Sequence, residues 1–152
     1  MKPLILTLLL GLALPAFADR MPPPANTPAS YKAECSSCHM AFQPALLTAN
    51  DWRKTMNGLK DHFGTDATVD MPKQQEITSF LERNAGDISK LGSAGEPPRI
   101  TQTARFIRKH REIPVKYWKD PRIKSAANCE ACHRGAAEGN YSERDILIPE
   151  LR

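Results

Sequence analysis

The chain has 152 residues, with 21 Lys and Arg, 17 Asp and Glu, 13 prolines and four cysteines. That length accommodates one modest domain or two very small ones, and so many prolines argue against extended sheet and for short helices joined by irregular loops. Beyond the N-terminus nothing is apolar enough to cross a membrane, and no basic motif interleaved with aromatics points to nucleic acid.

The N-terminus reads as a secretory signal: Lys2 leads an apolar run to Leu14, and small residues Ala16 and Ala18 mark a cut before Asp19. The expectation is export to the periplasm, with cleavage after Ala18 and no stable membrane insertion of the remaining 134 residues. A proline-rich leader follows at 19–28, extended along the surface or mobile. Thr27 and Pro28 look like a cap and first helical position, which predicts a helix through Tyr31 to about Cys38. A second is predicted over Thr48 to Lys60, with Thr48 and Asp51 as a capping pair and Trp52, Met56 and Leu59 on one face. A third runs from about Asp70 to Asn84, burying Ile77, Phe80 and Leu81.

The segment 86–99 is rich in Gly and Pro without periodicity, so it reads as a linker between an N-terminal unit, 29–85, and a C-terminal unit, 100–152. Thr101 or Thr103 can cap a helix to about Arg111. "EIPVKYWKDPRIK" looks like loop, and a last helix is predicted from Ser125 to a stop at Gly139. No segment reads as strand. Charge is uneven along this path: Arg99 to Lys124 carries nine basic residues against two acidic ones. Such a stretch is either a solvated face or a surface that steers an acidic redox partner.

All four cysteines sit in two pentads, Cys35-x-x-Cys38-His39 and Cys129-x-x-Cys132-His133. Two thiols three positions apart can add to the two vinyl groups of a haem while the next histidine reaches the iron, so the pentads predict two covalently bound haem c groups. Two disulfides, or one zinc held by four thiolates, would also use four cysteines. Neither accounts for a histidine directly after each pair.

Two irons need two further axial ligands, for which Met and His are the usual choices. Only His62 and His110 remain among the four histidines. Met21 lies in the leader, Met40 adjoins His39 too closely to reach the opposite face, and Met56 sits on a core stripe; Met71 is the competitor to His62. His110 has none, since no methionine follows Met71. Two bis-histidine centres are therefore expected. His62 follows His39 by 23 positions and His110 precedes His133 by 23, which makes pairing within each segment the economical one; a crossed pairing stays open.

"ECSSCHMAFQPALL", "DHFGTDA", "ARFIRKHREIP" and "NCEACHRGAAEGNYSERDILIP" together resemble the bacterial dihaem cytochrome c family, across essentially the whole chain after the signal. The resemblance implies a mainly α fold: an N-terminal haem domain similar to class I cytochromes c and a small, largely irregular C-terminal haem domain. It also implies bis-histidine ligation through His62 and His110. The partners it implies are a membrane b-type cytochrome as donor and a small oxygen-binding monohaem cytochrome c as acceptor.

Iron closed on both faces offers no position to a substrate, so the expected activity is electron transfer at low potential, by a monomer or a transient complex. A dihaem subunit of a periplasmic reductase is the alternative within that class. A small haem enzyme or gas sensor with a displaceable histidine is the alternative outside it, although no spare histidine is left for acid–base work.

Overall fold

The computed structural model describes residues 19–148, so the expected signal segment and its cleavage point lie outside the described residues. Helix α1 spans Ala29–Cys35, with Pro28 as its cap. It stops three residues short of Cys38: the Ser36 N–H makes a last helical bond to the Lys32 carbonyl, and the Ser36 hydroxyl donates to the same carbonyl, a local side-chain bond that competes with continuation of the ladder. Helix α2, Ala49–Asn57, opens on the expected capping box: Thr48 Oγ1 accepts from the Asp51 N–H at 3.2 Å and Asp51 accepts from the Thr48 N–H at 3.4 Å. Helix α3, Met71–Arg83, turns Ile77, Phe80 and Leu81 inward to 0%, 0% and 1% exposure.

These three helices meet around one core. Tyr31 of α1 lies 5.0 Å from Phe80 between ring centres, and Leu47, Trp52, Met56 and Ala94 close the cluster. Burying a large apolar side chain contributes about 1.5–3 kcal/mol, so this cluster is what allows such short helices to persist. Trp52 Nε1–H donates to the Pro44 carbonyl at 2.7 Å, and the Tyr31 hydroxyl donates to the Phe42 carbonyl. Both bonds tie the stretch after His39 onto the core.

Residues 86–99, expected to be a linker, are packed. Helix α4, Ile88–Leu91, is capped by Asp87, and Leu91 and Ala94 are buried. Gly86 donates to the Leu47 carbonyl at 2.8 Å, and a Cβ there would come within 2.3 Å of the Ala45 carbonyl oxygen. The glycine that looked like loop punctuation is a point of close backbone approach.

Helix α5, Ala104–His110, is capped by Thr103 rather than Thr101. Helix α6, Val115–Trp118, forms after Pro114 inside the stretch expected to be loop. The helix expected from Ser125 to Gly139 does not form. That stretch is a run of turns with a 3-10 turn at Cys129–Ala131. Lys124 has a φ of 65°, Asn128 Nδ2 donates back to the Ile123 carbonyl, and the Asn140 N–H takes the Gly135 carbonyl. These local bonds satisfy backbone groups without a helical ladder.

Nor is the leader loose: Met21 donates to Gly139 at 2.7 Å and Tyr141 donates to Asp19 at 2.9 Å. Gly139, at φ 75°, is pressed against the Met21 carbonyl, where a Cβ would lie 1.8 Å away. Among the described residues there are isolated bridges but no strand, and no helix long and apolar enough to cross a membrane. The fold is mainly α, with a largely irregular C-terminal portion.

Candidate functional site

The first candidate centre is built where α1 ends. Cys35 closes that helix, and Cys38 and His39 follow in the turn after it. The His39 ring pairs through Nδ1 with the Met40 carbonyl at 2.7 Å and lies 4.9 Å from the Phe42 ring. His62 arrives from the other side on a tight reversal, with reciprocal backbone bonds to Thr65 at 2.8 and 3.2 Å. Phe63 and Gly64 both take positive φ there, 55° and 92°. Gly64 completes the turn, and its N–H donates to Asp61 Oδ1 at 3.0 Å.

The reversal sets the His62 ring centre 6.2 Å from that of His39, with 32° between the planes. Met71, the competing ligand in the sequence, is 61% exposed, whereas Met40 and Met56 are buried. Phe63 is 43% exposed and carries the Arg99 guanidinium 4.0 Å above its ring.

The second centre is built between α5 and the C-terminal turns. His110 ends α5, its Nδ1 donating to the Phe106 carbonyl at 2.8 Å and its ring stacked on Phe106 at 4.0 Å and 20°. Four positions separate the two residues, one helical turn. His133 follows the turn at Cys129–Ala131 and is held by its N–H on the Cys129 carbonyl at 2.7 Å and by a bridge to Ile146. The rings of His110 and His133 lie 6.1 Å apart at 86°. Trp118 and Tyr141 flank them, 5.9 Å from His110 and 5.6 Å from His133.

Two imidazoles bound end-on to one metal, each nitrogen about 2.0–2.1 Å from it and about 1.1 Å from its own ring centre, set those centres about 6.3 Å apart. Both pairs stand at that separation. Nδ1–H donation by His39 and His110 to carbonyls leaves Nε2 with a free lone pair, the tautomer a ligand needs. Burial first, and then the neighbouring imidazole, push His62 and His133 below the usual histidine pKa. Neutral imidazole, the form that binds metal, is thereby favoured.

The space between His110 and His133 is lined by both rings together with Cys129 and Cys132, and a second cavity lies beside Cys38 and His39. None of the four cysteines is in a disulfide. No group of three or more His, Cys, Asp or Glu side chains placed to hold a metal ion exists among the described residues. Burial pushes the Cys35 and Cys129 thiols up to about 11. The donor set fits two covalently held haems.

A polar strut crosses between the centres that no sequence pattern announced. Gln43, 3% exposed, donates from Nε2 to the carbonyls of Ala136 and Ala137 at 2.9 and 3.0 Å, and its Oε1 accepts from the Tyr141 hydroxyl. Gln43 adjoins Phe42, which touches His39, and Tyr141 touches His133. The strut therefore fixes one proximal segment against the other. Its partners lie more than ninety positions from Gln43 in the chain, which is why periodicity and motif spacing are blind to it.

The model of the family described as "Dihaem cytochrome c" matches residues 31–141, most of the chain and both pentads. The chain belongs to the dihaem cytochrome c family. It accordingly carries two covalently attached haem c groups.

The cytochrome is similar to solved structures of the same kind. The X-ray structure of a dihaem cytochrome type c from Shewanella baltica OS155 is 38% identical, with a TM-score of 0.71 over 80% of this chain and 92% of that one. The crystal structure of the Rhodobacter sphaeroides DHC protein is 40% identical, with a TM-score of 0.66 over 76% and 97%. Among curated proteins, the cytochrome c-type protein TorY of Haemophilus influenzae is 33% identical over 57 residues, 38% of this chain. Only 14% of that larger protein is spanned.

Proposed function

We propose that the protein is a periplasmic, low-potential electron-transfer cytochrome with two bis-histidine centres. In this reading Cys35 and Cys38 tether the first haem between His39 and His62, and Cys129 and Cys132 tether the second between His133 and His110. Bound haem supplies a one-electron ferric–ferrous couple. The single observation that carries the ligand assignment is the pair of ring separations, 6.2 and 6.1 Å, each suited to one metal between two imidazoles. With His62 and His110 closing the sixth positions, no substrate has an open site, which favours electron transfer over catalysis. Nitrogen donors on both faces also favour the ferric state relative to a methionine ligand, hence the low potential.

The chain is read as two haem units, 29–85 and 100–152, joined through 86–99. Export follows from the N-terminal signal pattern, with cleavage after Ala18. Around the second centre Arg108, Lys109, Arg111, Lys119 and Lys124 are exposed, a basic rim suited to an acidic redox partner. By family resemblance the donor is a membrane b-type cytochrome and the acceptor a small oxygen-binding monohaem cytochrome c. A second reading, a subunit feeding a periplasmic reductase, is favoured by the partial match to a much larger c-type protein. Copurification with a larger catalytic subunit separates it from a free shuttle.

Low-temperature magnetic resonance on the oxidised protein, with H62A and H110A made separately, tests the ligand set. Two low-spin centres in the wild type are expected, each variant converting one of them to high spin. A thioether-to-iron charge-transfer band, or a high-spin centre in the wild type, refutes it.

A further inference from the structure

The two ligand pairs are not alike. His39 and His62 stand 32° from coplanar, whereas His110 and His133 cross at 86°. Imidazole donates π density perpendicular to its ring plane. Rings near one plane raise a single iron dπ orbital and stabilise the ferric hole placed there. Crossed rings raise two dπ orbitals equally, so that stabilisation is lost and the orbital moment is left unquenched.

A further feature of the second centre acts in the same direction. The cavity between His110 and His133 is lined by Leu46, Leu91, Ile113, Trp118 and Ile123. Apolar enclosure disfavours the extra charge of the ferric state. The carboxylates beside that cavity, Asp19 and Glu143, are both paired with Lys109, and Asp19 also approaches Arg105. Arg99 near His62 opposes this trend, but it faces solvent and is screened.

We propose that the crossed His110–His133 pair makes the C-terminal centre the higher-potential one, where the first electron settles, and that Phe106 is the positioning residue that holds His110 crosswise. Phe106 does so twice, by the ring stacked on the imidazole at 4.0 Å and by the carbonyl that receives Nδ1–H at 2.8 Å. Electrons arriving at the first centre then run downhill past the Gln43–Tyr141 strut to the centre with the basic rim. The inference rests on the bis-histidine reading and adds an order to it.

The test is electron paramagnetic resonance of the oxidised, fully loaded protein, followed through a reductive titration. One rhombic low-spin signal and one highly anisotropic signal with a large low-field g value are expected, and the large-g signal is expected to vanish first. H62A should abolish the rhombic signal and leave the large-g one. F106A, which removes the ring and keeps the backbone carbonyl, should move the large-g signal toward rhombic and narrow the gap between the two reduction steps, and F106Y, which keeps the ring, should restore both. Two rhombic signals, a large-g signal that is lost last or together with the other, or an F106A spectrum identical to wild type overturns the proposal. A methionine or high-spin signature in the wild type fails the ligand reading instead, and is distinguishable from all of these.

Discussion

Replacing Gln43 with alanine tests whether the two haem segments form one body or merely neighbour each other. The side chain makes three hydrogen bonds: two donated to the carbonyls of Ala136 and Ala137, and one accepted from the Tyr141 hydroxyl. A hydrogen bond contributes about 1 kcal/mol net, and a buried group stripped of its partner costs about 1–3 kcal/mol. Ala136 is fully buried, so its carbonyl cannot turn to water, whereas the Tyr141 hydroxyl, in a half-buried residue, can recover part of its loss. Q43A should therefore destabilise the protein by about 2–4 kcal/mol, which for a chain of this size is a fall of about 6–15 °C in Tm.

Thermal unfolding followed by the Soret band and by near-ultraviolet dichroism measures it. Y141F removes one of the three bonds and should cost less. The double variant should show a coupling of about 0.5–1.5 kcal/mol, because the two residues share a bond. A Q43A protein within about 0.5 kcal/mol of wild type, the scatter expected for an uninvolved surface site, would refute the idea that this strut joins the segments.

Removing the α2 cap by T48A should cost about 1 kcal/mol in urea unfolding, and T48N should recover most of it because asparagine caps as well as threonine. F80A leaves a void under Tyr31 at the centre of the three-helix core and should cost about 3–5 kcal/mol by the same measurement. G139A forces a Cβ onto the Met21 carbonyl at a positive φ; residues 19–22 should detach from the C-terminal loop, and limited proteolysis should reveal cleavage there that the wild type resists. With an acidic redox protein, the bimolecular electron-transfer rate should fall as salt rises. A rate indifferent to ionic strength removes the docking role of the basic rim.

The chemistry and much of the local structure could be read along the chain, because they depend on spacings of a few residues. Cys-x-x-Cys-His is a local attachment geometry, the Thr48–Asp51 box and the Ile77, Phe80 and Leu81 stripe are local too, and each appears where it was expected. Elimination among four histidines and five methionines named His62 over Met71 as a ligand; in the folded chain Met71 is exposed and the His62 ring lies 6.2 Å from that of His39. Expectation and structure parted where backbone groups found partners outside the helical ladder. Asn128 and Asn140 satisfy carbonyls around the second pentad and prevent the helix read there.

What the order of residues determined by itself is the inventory: two tethering pentads, two further imidazoles, and caps and stripes that make short helices. Only the folded chain decided which imidazole meets which and at what angle, and it set Gln43 between the two halves. The reason is that ring orientation and burial depend on contacts between segments far apart in sequence, such as Phe42 with His39 on one side and Tyr141 with His133 on the other, whose encounter no local period encodes.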